Sequence, residues 1–328
     1  MSALERLPFA LHREIPLGRY TSLRVGGPAR WFLSSDDAPA LVETLAAAHE
    51  DGESVLMVGG GSNLLISDAG VDGVVLRYTA AGHIIERQPN GDLLVRVLAG
   101  TNFSNLARRL ARDGVGGLEW GASVPGTVGG AVVNNAGAFG GCLADHLHDA
   151  EIIGPDCATR TLTVDDLQYA YRTSVLKRGD LGPVLVTSAR LRVHVADPDA
   201  ATALILSNQT KRTASQPRQL SAGSIFANPP GDYAGRLLEA AGLKGARRGS
   251  IEISTHHANF IVNTGSRSTD ATAAGVFDLI RQAQDTVWQQ FGVWLKPEVQ
   301  LAGRWNPDEV QALAGPPQLA GHAEQAAV

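Results

Sequence analysis

Two glycine-rich segments constrain the fold of this chain more than any other feature. The first, "VGGGSNLL", covers Val58 to Leu65 and follows the apolar run "SVLMVG". The second, "SVPGTVGGAVVNNAGAFG", begins at Ser123 and is too long and too low in charge to be a solvated linker. Glycine lets backbone N–H groups approach a phosphate closely, so both segments are candidate anion-binding loops. The first segment alone fits a structural turn equally well, because it has neither GxGxxG spacing nor a Walker-type Lys-Ser/Thr pair.

The apolar pattern divides the chain into three lobes and a tail. A strand at "ARWFLSS", an amphipathic helix at "DDAPALVETLAAAHEDG" and a strand at "SVLMVG" form a βαβ-like opening. Short strands follow, and then a helix at "TNFSNLARRLARDG" that we expect Thr101 to cap. Helical spacing of apolar residues predicts a long helix from about Thr269 to Phe291. The predicted units are subdomains at 1–75 and 76–198, a third domain at 199–303 and a disordered tail at 304–328.

Charge and cysteine content narrow the class of function. The 328 residues carry 28 basic and 33 acidic side chains, a formal charge of −5, without a long basic run, which argues against nucleic acid as the main partner. Cys142 and Cys157 match no zinc pattern, so we predict neither a structural disulfide nor a metal site. The N-terminus lacks a signal-peptide pattern, and no apolar run approaches about 18 residues. We therefore expect a cytoplasmic protein without a membrane span.

Taken together, the motifs resemble those of one enzyme family. "TSLRVGGPARWF", "GGGSNLL" and "SVPGTVGGAVVNNAGAFG" are similar to the FAD-binding half of the UDP-N-acetylmuramate dehydrogenase family, and "YRTSVLK", "SAGSIFANP" and "LKPEV" extend the resemblance. It implies an α+β fold with a two-lobed FAD-binding domain of the vanillyl-alcohol-oxidase (PCMH) type at 1–198 and a C-terminal α/β substrate domain. It also implies non-covalent FAD, NADPH as hydride donor, and reduction of UDP-GlcNAc-enolpyruvate to UDP-N-acetylmuramate for peptidoglycan synthesis.

The resemblance assigns three residues to catalysis. Arg172, in "YRTS", would bind the substrate carboxylate, for which its planar guanidinium is suited. Ser224, in "SAGSIF", would donate a proton to the carbon that becomes negatively charged. Glu298, in "KPEV", would assist near the same carboxylate. Taken singly, each has an ordinary alternative: a surface ion pair for the arginine, a turn cap for the serine and an exposed turn carboxylate for the glutamate.

Binding residues follow from the same match. The FAD contacts implied by the two glycine-rich segments are Gly59, Gly60, Gly61, Ser62, Asn63, Ser123, Pro125, Gly126, Val128, Gly129, Gly130, Asn135, Ala136 and Gly137. Tyr171 and Asn228 match substrate-binding positions. Lys244 and Arg247, in "GLKGARRG", are candidates for the UDP phosphates, and a solvated basic turn is the alternative.

Other functions fit the sequence less well. "AGSIF" is not the G-x-S-x-G pattern of a serine hydrolase. The adjacent pair His256-His257 lacks the i, i+4 spacing of a helical metal site. We therefore expect a structural or substrate-lining role for these histidines. Two rivals stay open: another oxidoreductase on the same flavin fold, which would commonly carry a covalent flavin, and a flavin-binding module without catalysis.

Two departures from the family pattern concern the site. Ala227 stands where the family often has lysine, and Leu176 replaces a common phenylalanine. Only 52 positions separate Arg172 from Ser224 (224 − 172), which leaves no room for the loop that closes a tyrosine over the substrate in one subclass. The chain therefore resembles the shorter, second subclass.

Overall fold

The computed structural model describes residues 1–265 and 270–316 as three lobes. The first lobe comprises β1 His12–Pro16, β2 Pro28–Ser35, α1 Ala38–Glu50, β3 Val55–Met57, β4 Leu64–Ile66 and β5 Val71–Tyr78. Four of these strands form a sheet in the order β1-β2-β5-β3, in which β5 is parallel to both β2 and β3. Leu41 and Leu45 of α1 pack against Val74 and Leu76 of β5, so the predicted βαβ opening is confirmed.

The second lobe is built on a largely antiparallel sheet. Its elements are β6 His83–Arg87, β7 Leu93–Leu98, α2 Phe103–Arg112, β8 Val115–Gly116, α3 Val128–Asn134, β9 Gly137–Ala138, β10 Gly141–Cys142, α4 Leu143–His146, β11 Leu147–Ile153, β12 Thr159–Thr163, α5 Val164–Leu167, α6 Val175–Arg178 and β13 Leu185–Val195. The main strand order is β12-β11-β13-β7-β6, and β8 pairs with β13. The short helix α3 lies within the second glycine-rich segment, where the sequence indicated only a loop.

The third lobe carries a four-stranded sheet and the longest helix of the described residues. Its elements are α7 Pro198–Ser215, β14 Leu220–Ser224, α8 Ala234–Ala240, β15 Arg247–Arg248, β16 Ile251–Ile253, β17 Phe260–Asn263, α9 Ala273–Phe291, β18 Gln300–Ala302 and α10 Pro307–Ala312. The sheet has the order β14-β17-β16-β15. Although we placed α7 in the third domain, Ala201 and Ile205 of this helix pack into the core of the second lobe.

The last strand returns to the first lobe. β18 pairs in parallel with β4, so that Gln300 lies opposite Leu64 and Ala302 opposite Ile66. Asn63 Nδ2 also donates to the Glu298 carbonyl at 3.1 Å. These contacts fix the "KPEV" segment beside the first glycine-rich loop.

Two expectations about where helices begin need correction. Asn102, not Thr101, caps α2, because its side chain accepts from the N–H of Asn105 while the Thr101 hydroxyl bonds to Gly82. Helix α9 begins at Ala273, where Thr272 caps it, and the predicted start at Thr269 lies outside the described residues.

The tail prediction was wrong for residues 304–316. They include α10, and Leu313 is buried, with its carbonyl accepting from Gln284 Nε2. Residues 317–328 lie outside the described part of the chain. Among the described helices, none combines the length and the apolarity needed to span a membrane.

Candidate active site

A cavity of about 1040 Å³ lies where the three lobes meet. Its wall combines both glycine-rich segments with residues of the third lobe, including Ser224, Phe260 and Glu298. Arg172 and Lys177, from the second lobe, complete this corner of the wall. The fold thus brings the three predicted catalytic residues to one cavity, although 126 positions separate Arg172 from Glu298 (298 − 172).

The two glycine-rich segments pack directly against each other. A Cβ on Gly60 would lie 2.5 Å from Gly126 Cα, and one on Gly59 would lie 2.6 Å from Thr127 Oγ1. Gly61 has φ +60, and a Cβ there would meet the Tyr20 carbonyl oxygen at 1.9 Å. These glycines therefore allow two backbones to approach each other, a requirement that cannot be read from either segment alone.

The first segment presents a row of free backbone donors to the cavity. Within the described residues, the N–H groups from Gly59 to Asn63 have no hydrogen-bond partner. In contrast, the first N–H groups of α3 are occupied: Val128 donates to the Thr101 carbonyl, Gly129 to the Ala99 carbonyl and Gly130 to Thr127 Oγ1. The loop 59–63, rather than the start of α3, can therefore hold an anion.

Two residues predicted as FAD contacts do not line this cavity. Val128 is fully buried in the core of the second lobe. Asn135 caps α3 in the left-handed region (φ 44), and its side-chain amide bonds to the Ala170 carbonyl and the Ala144 N–H. Asn134, which the sequence analysis did not select, does line the cavity, and its Oδ1 is buried without a hydrogen-bond partner.

Arg172 is held at both its backbone and its side chain. It occupies the left-handed region (φ 55), its Nη2 donates to the Gly137 carbonyl at 2.9 Å, and its own carbonyl accepts from Lys177 Nζ at 2.8 Å. Ser174 caps α6 and donates to the Val133 carbonyl at 2.6 Å, which ties the "YRTS" segment to α3. Arg172 forms no ion pair within the described residues, so its charge is available to a ligand.

The segments that carry Ser224 and Glu298 are joined through backbone hydrogen bonds. The Glu298 N–H donates to the Ile225 carbonyl at 2.7 Å, and the Ala227 N–H donates to the Lys296 carbonyl at 2.9 Å. Gly223 has φ +82, and a Cβ added there would meet no atom within 4 Å, so the strand turns beside open space. The Ser224 hydroxyl forms no hydrogen bond with any described residue, which argues against a turn-capping role.

The Glu298 carboxylate lacks protein partners for one of its oxygens. Oε1 is buried without a hydrogen bond, and no described cation lies within ion-pair distance of the group. Burial lowers the pKa of Lys177; the Glu298 carboxylate opposes this shift and Arg172 adds to it. Arg172, Ser224 and Glu298 thus line one cavity, and neither charged group forms an ion pair with a described residue, an arrangement suited to binding a carboxylate and moving a proton.

Comparisons with known proteins agree with this arrangement. A family model of the FAD binding domain matches residues 32–163, and one described as UDP-N-acetylenolpyruvoylglucosamine reductase, C-terminal domain, matches residues 201–302. The chain is 43% identical over 302 residues to the UDP-N-acetylenolpyruvoylglucosamine reductase of Chloroflexus aggregans, covering 90% of this chain and 99% of that protein. The enzyme of that name from Synechococcus sp. (strain RCC307) is also 43% identical, with coverage of 89% and 94%.

The chain belongs to the UDP-N-acetylenolpyruvoylglucosamine reductase family. A solved reductase of this family, from Thermus caldophilus, aligns with a TM-score of 0.71 at 34% identity and covers 89% of this chain and 98% of that one. These matches confirm the predicted fold class and the family resemblance.

The residues present fit the cofactor that this reductase family implies. The cavity has the size of a large ligand site, and the free N–H groups of Gly59–Asn63 suit a diphosphate. Asn134 and Gln216 line the same cavity, and their Oδ1 and Oε1 atoms are buried acceptors that find no donor in the part of the chain that the structure describes. A dinucleotide such as FAD would satisfy both kinds of group.

Three residues predicted to bind the UDP-sugar do not reach the cavity. Asn228 Oδ1 accepts from the Ala234 N–H at 3.0 Å and thus supports the start of α8. Lys244 pairs with Glu239 at 2.7 Å, and Arg247 pairs with Glu252.

Tyr171 also does not line the cavity wall, although it precedes Arg172 and is 70% exposed. The paired histidines have structural contacts: His256 Nε2 bonds to the Ala214 carbonyl, and His257 packs edge-on against Phe260.

Lys177 is a site residue that the sequence analysis missed. The motif "YRTSVLK" contained it, but a lysine near the end of a short helix is ordinarily read as a surface residue. Its five-residue spacing from Arg172 (177 − 172), with a turn between them, was the available signal.

Proposed function

We propose that this chain is an NADPH-dependent, FAD-containing reductase that converts UDP-GlcNAc-enolpyruvate to UDP-N-acetylmuramate in the cytoplasm, as a step in peptidoglycan precursor synthesis. The convergence of Arg172, Ser224 and Glu298 on one cavity carries the proposal, together with the family membership. Non-covalent FAD would be held by the backbone donors of Gly59–Asn63 and by the glycine surface around Gly126. Once reduced by NADPH, this cofactor supplies a hydride to the terminal alkene carbon of the enolpyruvyl group.

Arg172 would bind and polarise the substrate carboxylate. Hydride addition to the terminal carbon leaves negative charge on the adjacent carbon, from which it spreads into the carboxylate. A fixed guanidinium stabilises that charge as it develops, because the Gly137 and Lys177 contacts hold the arginine in place before the reaction. Lys177 thus acts as a positioning residue for Arg172.

Ser224 would donate the proton that completes the reduction. Its hydroxyl makes no competing hydrogen bond with a described residue and lies on the wall that carries Glu298. Proton transfer from the Ser224 Oγ–H to the charged carbon neutralises the enolate, and general acid catalysis of this kind contributes typically about 10²–10⁴-fold.

Glu298 would assist at the same end of the substrate. Its Oε1 is buried and unpartnered, so a donor from the substrate or a shared proton would satisfy it. Tyr171, exposed beside Arg172, would contact the substrate at the mouth of the site, where this short subclass lacks a tyrosine loop.

The two half-reactions test this function directly. Purified protein should be yellow, and denaturation should release its flavin, because no covalent attachment is proposed. Anaerobic NADPH should bleach the flavin absorbance, and addition of UDP-GlcNAc-enolpyruvate should restore it with formation of UDP-N-acetylmuramate. Restoration by a simple alcohol-derived aldehyde or ketone instead would favour another oxidoreductase on this fold. Failure to bind FAD at all would exclude the proposal.

A further inference from the structure

A second, smaller cavity of about 290 Å³ adjoins the large one, and we call it the side pocket. It lies between α2, α7 and the segment Ser123–Pro125, and it shares Arg212 and Gln216 with the wall of the large cavity. Arg108 of α2 and Arg218, which follows α7, complete its basic lining. Neither Arg108 nor Arg212 was selected as a site residue from the sequence, and Arg218 was a possible but unranked ligand of the UDP phosphates.

The side pocket is basic and lacks a compensating acid. No aspartate or glutamate is among the described residues that line it, and none of its three arginines forms an ion pair with another described residue. Arg108 Nη2 donates to the Ala122 carbonyl at 2.7 Å, and Arg212 Nη1 donates to the Ser123 carbonyl. Each guanidinium has five N–H donors, so most of them are left for a ligand.

Because Arg212 is partly buried, the lack of an acidic partner in the side pocket is energetically unfavourable. Burial lowers the pKa of Arg212, but a guanidinium keeps its charge at neutral pH. A partly buried cation without a counter-charge is unfavourable, and an anionic ligand would remove that penalty. Gln216 Oε1 is also buried without a partner, and it could accept from a ribose hydroxyl. Cations beside an unpaired acceptor fit a phosphorylated ribose better than a simple inorganic anion.

The side pocket lies close in sequence to Ser224 and apart from the first glycine-rich loop. Arg218 precedes Ser224 by six positions (224 − 218), on the connection that leads from α7 into β14. The free N–H groups of Gly59–Asn63 already provide a cradle for the FAD diphosphate. The side pocket is lined by none of these loop residues, so an incoming nucleotide is the ligand that its arginines would bind.

We propose that Arg108, Arg212 and Arg218 form a subsite for a phosphate group of an incoming nucleotide, either the 2′-phosphate of NADPH or the diphosphate of the UDP-sugar. This assignment rests on the proposed reductase function. It replaces Lys244 and Arg247, whose charges are paired with Glu239 and Glu252 away from both cavities.

The test compares Arg218→Gln and Arg212→Gln with the control Lys211→Gln. Arg218 makes no hydrogen bond or ion pair with a described residue, so its loss removes no internal contact. Lys211 is an exposed neighbour on α7 that does not line the side pocket, so its substitution removes the same charge elsewhere. For each variant we would measure the FAD dissociation constant, kcat/KM for NADPH and for NADH in flavin reduction, and KM for the UDP-sugar.

We expect about a 10-fold or larger loss for one incoming nucleotide in each arginine variant, as for a lost charge-assisted hydrogen bond, with Lys211→Gln unchanged. A loss with NADPH but not with NADH identifies the 2′-phosphate, and a raised KM for the UDP-sugar alone identifies the diphosphate. Weakened FAD binding with both substrates unaffected would overturn the assignment, as would wild-type values throughout. If the wild-type chain itself fails to reduce its flavin with NADPH, the proposed function fails first and the two failures are distinguishable.

Discussion

The proposed catalytic corner, formed by Arg172, Ser224 and Glu298, differs from the basic turn that carries Lys244 and Arg247. Both regions contain charged residues in glycine-rich surroundings, and from the sequence both were candidates for binding a charged substrate. In the corner, Arg172 and Glu298 line a cavity and form no ion pair with any other residue that the structure describes. In the turn, each cation is neutralised by a carboxylate of its own lobe. The charges that the fold leaves unpaired are therefore the better candidates for ligand binding, and residue type alone does not identify them.

The strongest test of the corner is Ser224→Ala. We expect the rate of flavin reoxidation by UDP-GlcNAc-enolpyruvate to fall by about 10²–10⁴-fold, because the proton donor is lost, while flavin reduction by NADPH changes little. Stopped-flow absorbance of the two half-reactions measures this directly. Ser221→Ala, on the same strand but away from the cavity wall, is the matched control. Equal losses in both half-reactions would argue against proton donation by Ser224.

Arg172→Lys examines whether charge alone suffices in the corner. The variant keeps a cation but loses the planar fork and the contact with the Gly137 carbonyl, so we expect kcat/KM for the enolpyruvyl substrate to fall roughly 10- to 100-fold. Steady-state kinetics with NADPH in excess provides the measurement. Arg178→Lys, at an exposed ion pair with Asp180, should behave as wild type. A lysine variant with full activity would reduce the role of Arg172 to simple charge.

Gly60→Ala tests how much the close contact between the two glycine-rich segments, which adjoin the corner, contributes to the stability of the protein. The new Cβ would lie 2.5 Å from Gly126 Cα, so we expect the free energy of unfolding of the flavin-free protein to fall by about 1–3 kcal/mol. Gly130→Ala is the control, since its Cβ would meet only Thr127 Oγ1, at 3.6 Å, and alanine favours the helix. Denaturant unfolding of both variants distinguishes them. Equal stability would show that the loops can separate without cost.

The smallest effects on activity are expected in the basic turn. Lys244→Gln and Arg247→Gln should change KM for the UDP-sugar by less than about 2-fold, because neither side chain reaches the cavity. The two variants should differ in their free energy of unfolding. Lys244 pairs with an exposed Glu239, and its loss should cost under about 0.5 kcal/mol.

Arg247 instead neutralises Glu252, whose side chain is only 7% exposed, so its loss should cost roughly 1–2 kcal/mol. A large rise in KM for either variant would restore the original assignment of these residues to the UDP phosphates.

Periodicity and motif order were sufficient to predict much of the fold, and the three residues that the motifs selected for catalysis do line one cavity. The strand at "ARWFLSS" and the helix ending at Phe291 followed from the spacing of apolar residues. Helix α3 was missed because glycine and valine are poor helix formers, and its formation depends on the Thr127 cap and on packing of Val128 and Val132. Likewise, the Ala/Pro/Gln-rich composition concealed α10, which Leu313 anchors to the third lobe.

The limits of the site prediction have one physical cause. Glu239 and Glu252 neutralise the basic turn through the folding of their lobe, and nothing in "GLKGARRG" shows this. The glycines of the first loop suggested close approach to a ligand, whereas Gly60 lies against Gly126 of the other segment. In both cases the deciding partner is distant in sequence, so a local motif identifies the residue but not what it contacts.

The pairing of β18 with β4 determines at which stage of chain synthesis the cavity wall can be completed. β18, near residue 300, pairs with β4, near residue 65, and the side chain of Asn63 donates a hydrogen bond to the Glu298 carbonyl. A chain emerging from the ribosome would form the first lobe long before its last strand is available. Until then the first glycine-rich loop lacks its support and the site lacks a carboxylate. The cavity wall is therefore completed only after residues near 300 have been made, and a chain terminated before them would lack the wall that carries Glu298 even with its first two lobes folded.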